Sequence, residues 1–276
     1  MQKGIKFRIY PNKEQQNLIN QTFGCCRLIY NKGLAMRNEA YDSGNKIGYA
    51  QTSAMLTELK KCEDFAFLKV VDSIALQQSL RDLDRGFVNF FQKRAAHPTF
   101  KSKHNRHQSY RTVNQGNHIR IVGKYIKLPK LGYIKIRQSM EVGKINNVTI
   151  QCTPTGKYFA VLNVEFEPQP SPNNAGSIGI DVGIKDFYSD SNGKVGSNPK
   201  YLEKSMRKLI REQRMLSRKQ KGSNNRNKQR VKVALVHEKI TNQRNDFLQK
   251  QSTLLIRENQ TICIEDLKVK NMMRNH

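Results

Sequence analysis

The order in which the hydrophobic period changes along the chain is the feature that most restricts its fold. Residues Gly4 to Tyr10 alternate between apolar and polar side chains, which predicts a half-buried strand with a basic outer face. From a helix start near Lys13 to about Arg94, apolar residues recur at helical spacing. After His97-Pro98 the period returns to two, in short runs separated by turn residues. The first strand therefore finds its sheet partners only after a helical insertion.

This order predicts an α+β fold with two domains. We expect a small β-barrel built from residues 1–10 and about 112–170, with a helical segment of about 11–95 inserted between its strands. The stretch from Pro168 to Gly176 is rich in Pro, Asn, Ser and Gly, which predicts a domain boundary. The second domain, 171–276, reads as a strand, a hairpin, two long basic helices and a last strand.

The charge balance restricts the class of partner. The 276 residues include 49 Lys and Arg against 22 Asp and Glu, a net charge of +27. This excess argues against an ordinary metabolic enzyme and favours a polyanion, with nucleic acid ahead of an acidic membrane. No apolar run approaches the roughly 20 residues of a membrane span, so no membrane partner is expected. The N-terminus leads directly into the first strand, which predicts no signal peptide, and five irregularly spaced cysteines predict a reducing cytoplasm.

Candidate nucleic-acid contacts fall into two groups. The run from Lys204 to Lys232 holds twelve Lys and Arg and one acid, Glu212, so it lacks the interleaved acids that neutralise a solvated helix face. We expect this run to face phosphates, through Arg207, Arg211, Arg214, Arg218 and Lys219. Candidates in the first domain are basic or aromatic residues that contact the backbone or stack on bases: Lys6, Arg8, Tyr10, Arg27, Tyr30, Lys101, Lys103 and Arg111. Each of these first-domain residues, taken singly, also fits an ordinary surface position.

Two acids end apolar runs that read as strands buried on both faces. Asp181 follows Ile178-Gly179-Ile180, and Glu265 follows Ile262-Cys263-Ile264. An unpaired carboxylate at the end of such a strand is costly, whereas paired carboxylates at neighbouring strand ends hold Mg²⁺ for phosphodiester chemistry. The pattern favours Asp181 and Glu265 as catalytic residues and magnesium ligands. The alternative is structural, with Asp181 at a turn and Glu265 capping the segment that follows.

Other chemistries find weaker support. His104 and His107 have ligand-like spacing, but no cysteine lies nearby and no Cys-x-x-Cys is present, so no zinc site is expected. Actin-like ATPases and sugar kinases also begin their phosphate loop with Gly-Ile-Asp-x-Gly, but they need Ser or Thr next, where this chain has Ile184 and Lys185. A basic RNA-associated structural protein would explain the charge and not the strand-end acids.

Ordered motifs along nearly the whole chain resemble the TnpB family, also called OrfB, of small bacterial insertion elements. The motifs lie at Lys6 to Pro11 with Gln15, Phe23 to Arg27, Tyr30-Asn31, Pro98 to Lys103, Ile126 to Gly132, Gly179 to Phe187, His237 to Ile240 with Asn242 to Arg244, and Ile264 to Leu267. The resemblance implies a helical recognition segment embedded in a small β-barrel, followed by a RuvC-type, RNase H-like nuclease domain. Asp181 matches the first catalytic acid of the family and Glu265 the second.

The same resemblance implies an RNA-guided DNA endonuclease of the bacterial cytoplasm. Its partners would be a guide RNA and a target DNA, and its cofactor Mg²⁺. Family members continue with a further strand, a zinc ribbon of two Cys-x-x-Cys pairs and a third catalytic Asp, whereas this sequence ends at His276 without them. We therefore expect an incomplete RNase H-like domain with impaired cleavage. The alternative is a catalytically inactive RNA- or DNA-binding regulator that acts as a repressor-like module.

Overall fold

A computed structural model describes residues 1–105, 107–167, 176–183 and 185–267. The chain divides into two compact units, Met1–Pro168 and Gln169–His276, and each is described by itself. The predicted boundary stretch from Pro168 lies outside the described residues, except for Gly176. Among the described residues, none of the helices combines the length and apolarity needed to cross a membrane.

The first unit consists of one sheet and a group of helices that follows the first strand. The elements are β1 (Gln2–Tyr10), α1 (Lys13–Asp42), α2 (Tyr49–Lys61), a 3₁₀ helix (Glu63–Lys69), α3 (Ser73–Phe91), β2 (Gln108–Val113), β3 (Arg120–Val122), β4 (Tyr125–Leu128), β5 (Gly132–Arg137), β6 (Ile145–Cys152) and β7 (Tyr158–Glu165).

The seven strands form a single antiparallel sheet in the order β2-β6-β7-β1-β5-β4-β3. The first strand lies at its centre, where β1 pairs with β7 on one side and β5 on the other. The sheet curls into a half-barrel. In the described residues β2 and β3 remain its two edges, so the pairing shows an open sheet in place of the closed barrel expected from the sequence.

Local hydrogen bonds join the first helix to the sheet. Asn12 caps α1 by accepting from the Gln15 amide at 2.8 Å, and the Gln15 side chain accepts from the Asn12 amide at 3.0 Å. The Gln15 side-chain amide also donates to the carbonyls of Leu131 and Tyr133, at 3.0 and 2.9 Å. One glutamine therefore holds the start of α1 against the start of β5.

Most of the core of the first unit is one cluster between the inner sheet face and the helices, and a second, smaller cluster lies between α1 and α3. Phe7 and Ile9 of β1 pack in the larger cluster with Leu76 of α3, all at most 1 % exposed. The buried Asp72 caps α3 by accepting from the Ile74 amide at 2.9 Å, and it also accepts from the hydroxyl of Thr112 on β2. This carboxylate connects α3 to the sheet and satisfies buried donors on both.

The second unit has a smaller sheet and a helical hairpin. Its elements are β8 (Ser177–Asp181), β9 (Asp186–Asp190), β10 (Val195–Ser197), α4 (Tyr201–Ser217), α5 (Asn224–Glu258) and β11 (Thr261–Ile264). The strand order is β10-β9-β8-β11, with β11 parallel to β8 and the other pairs antiparallel. Its described buried apolar residues form two clusters of three, one on the sheet around Tyr188 and one between the helices around Val236.

The expectation that the acid-ended strands are buried on both faces is wrong. In β8 the side chains of Ile178 and Ile180 are buried, whereas Asp181 is exposed, and in β11 Ile264 is 71 % exposed. A short strand at or near a sheet edge has one face to bury, so its side chains alternate. The carboxylates therefore do not carry the cost of burial that the sequence pattern implied.

The α4–α5 hairpin is joined by polar contacts at its turn. Gln229 of α5 donates to the carboxylate of Glu212 at 2.7 Å and to its carbonyl at 3.1 Å. Arg226 donates to the carbonyls of Leu216 and Lys219, at 3.0 and 2.7 Å, and thus covers the last turn of α4. The one acid of the basic run is therefore buried against α5, where it serves the hairpin.

Candidate metal centre and nucleic-acid interface

Asp181 and Glu265 lie at the ends of two neighbouring parallel strands. The register pairs Ile180 with Ile264; Asp181 is the last residue of β8, and Glu265 directly follows the end of β11. Neighbouring strands lie about 4.8 Å apart, so the same register carried one residue further sets the two acids side by side. Both line one open cavity of about 490 Å³. The structure thus brings together the two acids that the sequence paired.

A third carboxylate lines the same cavity without joining the pair. Asp190 is opposite Ile180 in the antiparallel register, one residue out of step with Asp181. Its Oδ1 accepts from the amides of Asn192 and Lys194, at 3.0 and 2.9 Å, and so supports the turn between β9 and β10. Within the described residues, no group of three His, Cys, Asp or Glu side chains is arranged to hold a metal ion.

The glycines beside the acids serve the local backbone. A Cβ on Gly183 would lie 2.9 Å from the carbonyl oxygen of Asp186, so the turn after β8 needs a glycine there. A Cβ on Gly179 would make only an ordinary van der Waals contact, so this position does not require glycine. The Gly179 amide donates to the Ser191 hydroxyl at 3.1 Å. The hard oxygen donors of Asp181 and Glu265 fit part of a Mg²⁺ ligand set, since this ion prefers carboxylates and keeps several waters.

Four of the predicted contacts form an arginine stripe along α4, namely Arg207, Arg211, Arg214 and Arg218. Their spacing of four, three and four residues places them on one helix face, over about 16 Å. All four are exposed, while Leu209 and Glu212 on the opposite face are buried. Lys219 follows in the turn and is half-buried. The stripe therefore presents a line of guanidinium groups away from the helical hairpin's own core.

Three first-unit candidates line a single polar cavity of about 370 Å³: Arg27, Lys101 and Arg111. Arg27 donates to Gln108 at 3.3 Å, and Arg111 forms an ion pair with Asp82 at 2.5 Å. The Nε of Arg111 is buried and has no hydrogen-bond partner. Both arginines are thus positioned by neighbours inside the protein.

Tyr30 and Lys101 contact one another. The Lys101 ammonium lies 3.9 Å from the centre of the Tyr30 ring, which is 8 % exposed. Asn31 clamps the same loop, because its side chain exchanges two hydrogen bonds with the Lys101 backbone, at 2.9 and 2.8 Å. Burial lowers the pKa of Lys101, and burial raises the pKa of Tyr30, with a smaller contribution from Asp82. Lys103 follows on the loop and is exposed.

Lys6, Arg8 and Tyr10 point to the outer face of the sheet, as the alternation predicted, because the residues between them are buried. The Lys6 ammonium lies 4.4 Å from the ring centre of Phe159, and the Arg8 guanidinium lies between Phe159 and Tyr10, at 5.1 and 5.5 Å. Of the outer face, the sequence predicts only these three residues as nucleic-acid contacts. The structure adds Tyr125, Lys127, Tyr133, Lys135 and Arg137 to it. The same period-two alternation in β4 and β5 would have found them.

The sequence matches known protein families and relatives. Residues 1–46 match a family model described as a helix-turn-helix domain, and residues 160–276 match one described as a probable transposase, OrfB of IS605. The chain is 41 % identical over 279 aligned residues to a "Putative RNA-guided DNA endonuclease" of Streptomyces pristinaespiralis, covering all of this chain and 69 % of that protein. It is 38 % identical to the "Putative RNA-guided DNA endonuclease InsQ" of Escherichia coli (strain K12), covering 99 % of this chain and 68 % of that protein.

The fold resembles a solved structure as well. The chain aligns with a protein in the cryo-EM structure of a Cas12f1–sgRNA–target DNA complex, with a TM-score of 0.51 at 12 % identity. The alignment covers 97 % of this chain and 81 % of that one. At this identity the likeness concerns the fold alone, and the sequence matches carry the assignment: the chain belongs to the OrfB, or TnpB, family of insertion-element transposases and RNA-guided endonucleases.

Proposed function

We propose that this protein is a nucleic-acid-binding protein of RNA-guided DNA endonuclease lineage, with an incomplete RuvC-type centre in its second unit. The observation that carries the proposal is the register of β8 and β11, which sets Asp181 beside Glu265 on one open cavity. These two carboxylates would hold Mg²⁺, which stabilises charge on the oxygens of a phosphodiester when bound. The arginine stripe of α4 would hold the backbone of the nucleic acid. Its partners would be a guide RNA and a target DNA.

Impaired cleavage forms part of the proposal. Among the described residues only two acids converge, and Asp190, the third acid of the cavity, is engaged by a turn. A metal site that lacks one carboxylate binds the ion more weakly and positions it less well. This observation also supports the second candidate function, a regulator that binds RNA and DNA without cutting.

A cleavage assay with matched variants tests both candidates. The full chain, loaded with its element's RNA, would be incubated with matching DNA in Mg²⁺ and in EDTA. We expect slow Mg²⁺-dependent cleavage that Asp181→Ala abolishes, with RNA affinity changed less than twofold, while the exposed Asp42→Ala serves as the control. RNA-dependent DNA binding without any cleavage would establish the regulator instead. Cleavage that survives Asp181→Ala would overturn the proposed metal centre. A chain that binds no RNA at all would overturn the proposed lineage function.

A further inference from the structure

An open groove of about 940 Å³ lies in the second unit, between the turn after β8, the start of α4 and the middle of α5. Three aromatic side chains line it, Phe187 of β9, Tyr201 of α4 and Phe247 of α5. The Phe247 ring packs edge-to-face with both of the others, with ring centres 4.9 Å from Phe187 and 6.3 Å from Tyr201. Three elements that are separate in the sequence therefore share one preformed apolar surface.

Aliphatic side chains extend this surface outward. Met206 of α4 and Leu248 of α5 line the groove and are 38 % and 47 % exposed. Ile210 lies one turn further along α4, about 6 Å from Met206, and is 39 % exposed. At about 100° per residue, Met206 and Ile210 lie between the buried face of α4, at Leu209, and the arginine stripe. The exposed apolar strip therefore runs along the helix beyond the groove, which favours an elongated ligand.

The rim of the groove is cationic. Lys185 and Arg244 line it, are exposed, and form no ion pair with any residue in the described part of the chain. Glu203 is the single acid among the described residues that line the groove, and Lys200 lies 3.7 Å from its carboxylate. Arg207 begins the arginine stripe on the other side of the apolar strip. A ligand on the strip therefore has cations on both sides.

These features separate the possible ligands. The three aromatic rings are half-buried and pack on one another at steep angles, which leaves little ring face for stacking on bases. A second copy of this chain would bring a further net charge of +27 to a cationic rim. Exposed aliphatic side chains at helical spacing suit the apolar face of a segment from another protein, and unpaired cations beside them suit acids on that segment.

We propose that this apolar groove docks an acidic amphipathic segment of another protein. The groove is defined by its apolar and aromatic lining, Phe187, Tyr201, Met206, Phe247 and Leu248. Apolar side chains of the segment enter between α4 and α5, where Met206 adapts to their shape, and its acids pair with the rim cations. The inference does not rest on the proposed function, because neither Asp181 nor Glu265 lines the groove.

Fluorescence anisotropy with the full chain and labelled peptides tests the proposal, at about 0.15 M salt to screen general attraction. The probe is a peptide of about four helical turns with Leu or Phe at helical spacing and Glu elsewhere. One control peptide scrambles this sequence, and another replaces Glu with Gln. The groove variant is Met206→Gln with Leu248→Gln. The matched control is Met215→Gln with Leu235→Gln, which changes the same exposed residue types on the same helices outside the groove. Circular dichroism and thermal unfolding establish that each variant is folded.

We expect the groove variant to bind the probe about tenfold more weakly and the control variant to bind it within about twofold of wild type, because central apolar contacts carry most of the binding free energy of an interface. The scrambled peptide should bind wild type about tenfold more weakly than the probe. The rim variant, Lys185→Gln with Arg244→Gln, should weaken the probe about threefold and leave the Gln peptide unchanged. A photo-crosslinker at a central Phe of the probe should label the start of α4 and the middle of α5.

Wild-type affinity of the folded groove variant for the probe would overturn the proposal. Equal binding of the scrambled peptide would also overturn it, because it would show only general attraction to a basic chain. A single-stranded RNA that displaces the probe and binds the groove variant about tenfold more weakly would refute the proposal and assign the groove to nucleic acid. Sedimentation that shows a wild-type dimer and a monomeric groove variant would refute it in favour of a second copy. None of these results would alter the proposed function.

Discussion

The two sheets of this protein differ in where their charged side chains stand. The seven-stranded sheet carries cations across a broad outer face, with Glu165 as the single acid of its strands. The four-stranded sheet brings Asp181 and Glu265 to one end, where the two parallel strands finish. Because phosphates repeat along a chain, a polyanion is held by charges spread over a length. A metal ion is held by oxygens that converge on one point.

The hydrophobic cores of the two units also differ, in size and in continuity. Most buried apolar residues of the first unit form one large cluster, with a second cluster of four between α1 and α3, whereas the buried apolar residues described in the second unit form two clusters of three. Since apolar burial is the main favourable term in folding, we expect the first unit to be the more stable of the two. The two acids thus belong to the unit with the smaller described core.

Neutralising four charges in each unit gives the largest expected effect and separates the two kinds of surface. Changing Arg207, Arg211, Arg214 and Arg218 to Gln should lower the salt slope for duplex DNA by about 3.6, at about 0.9 per phosphate. Four changes on the first sheet, namely Lys6→Gln, Lys127→Gln, Lys135→Gln and Arg137→Gln, should lower the same duplex slope by less than about 1. The slopes would be measured by titration between 50 and 300 mM salt (about sixfold in concentration). An equal slope for duplex DNA in the two fourfold variants would show that the two surfaces do not differ in duplex binding.

Cavity variants test the difference between the cores. Leu76→Ala should destabilise the first unit by about 2–5 kcal/mol, and Val236→Ala the second by about 1–3 kcal/mol. We expect wild type to unfold in two thermal steps and Val236→Ala to lower only the first step. Hydrogen exchange should be faster throughout α5 than in β1. One shared transition that moves equally in both variants would show that the units unfold together.

Acidification gives a smaller effect, confined to the helical hairpin. The hydrogen bond from Gln229, and more weakly Arg211, lowers the pKa of Glu212 below its ordinary value of 4.5. A carboxylate whose pKa is lowered by folding stabilises the folded state above the unfolded pKa, and this stability is lost as the pH falls through the folded pKa. Unfolding of the second unit between pH 6 and 3 should therefore start from a lower temperature below about pH 4.5.

Two variants isolate this contribution of Glu212. Glu212→Gln should flatten the pH dependence of that unfolding step, because its side chain no longer titrates. Glu203→Gln, an exposed acid on the same helix, should leave it unchanged. An unaltered pH profile in Glu212→Gln would mean that another group governs the acid sensitivity of the hairpin.

Local patterns predicted the elements well, and contacts between distant segments were the part they missed. The strand near Gly4 to Tyr10 and the helix start near Lys13 could be read because alternation and an asparagine cap act within a few residues. The role of Glu212 could not be predicted, because a glutamate in this run fits a solvated helix face as well as a buried partner of Gln229. The sequence predicted a closed barrel where the structure has an open sheet, because strand closure depends on curvature accumulated over seven strands.

The sequence by itself determined the period of each segment, the excess of positive charge and the two acids that end strand-like runs. Only the tertiary structure decided that β8 and β11 are neighbours in register, that the Asp190 side chain supports a turn, and which cations share a face with tyrosines. The physical reason is the distance along the chain over which each interaction acts. Backbone propensity and capping act between residues a few positions apart, whereas register and shared faces arise when residues far apart in the chain bury their apolar sides together.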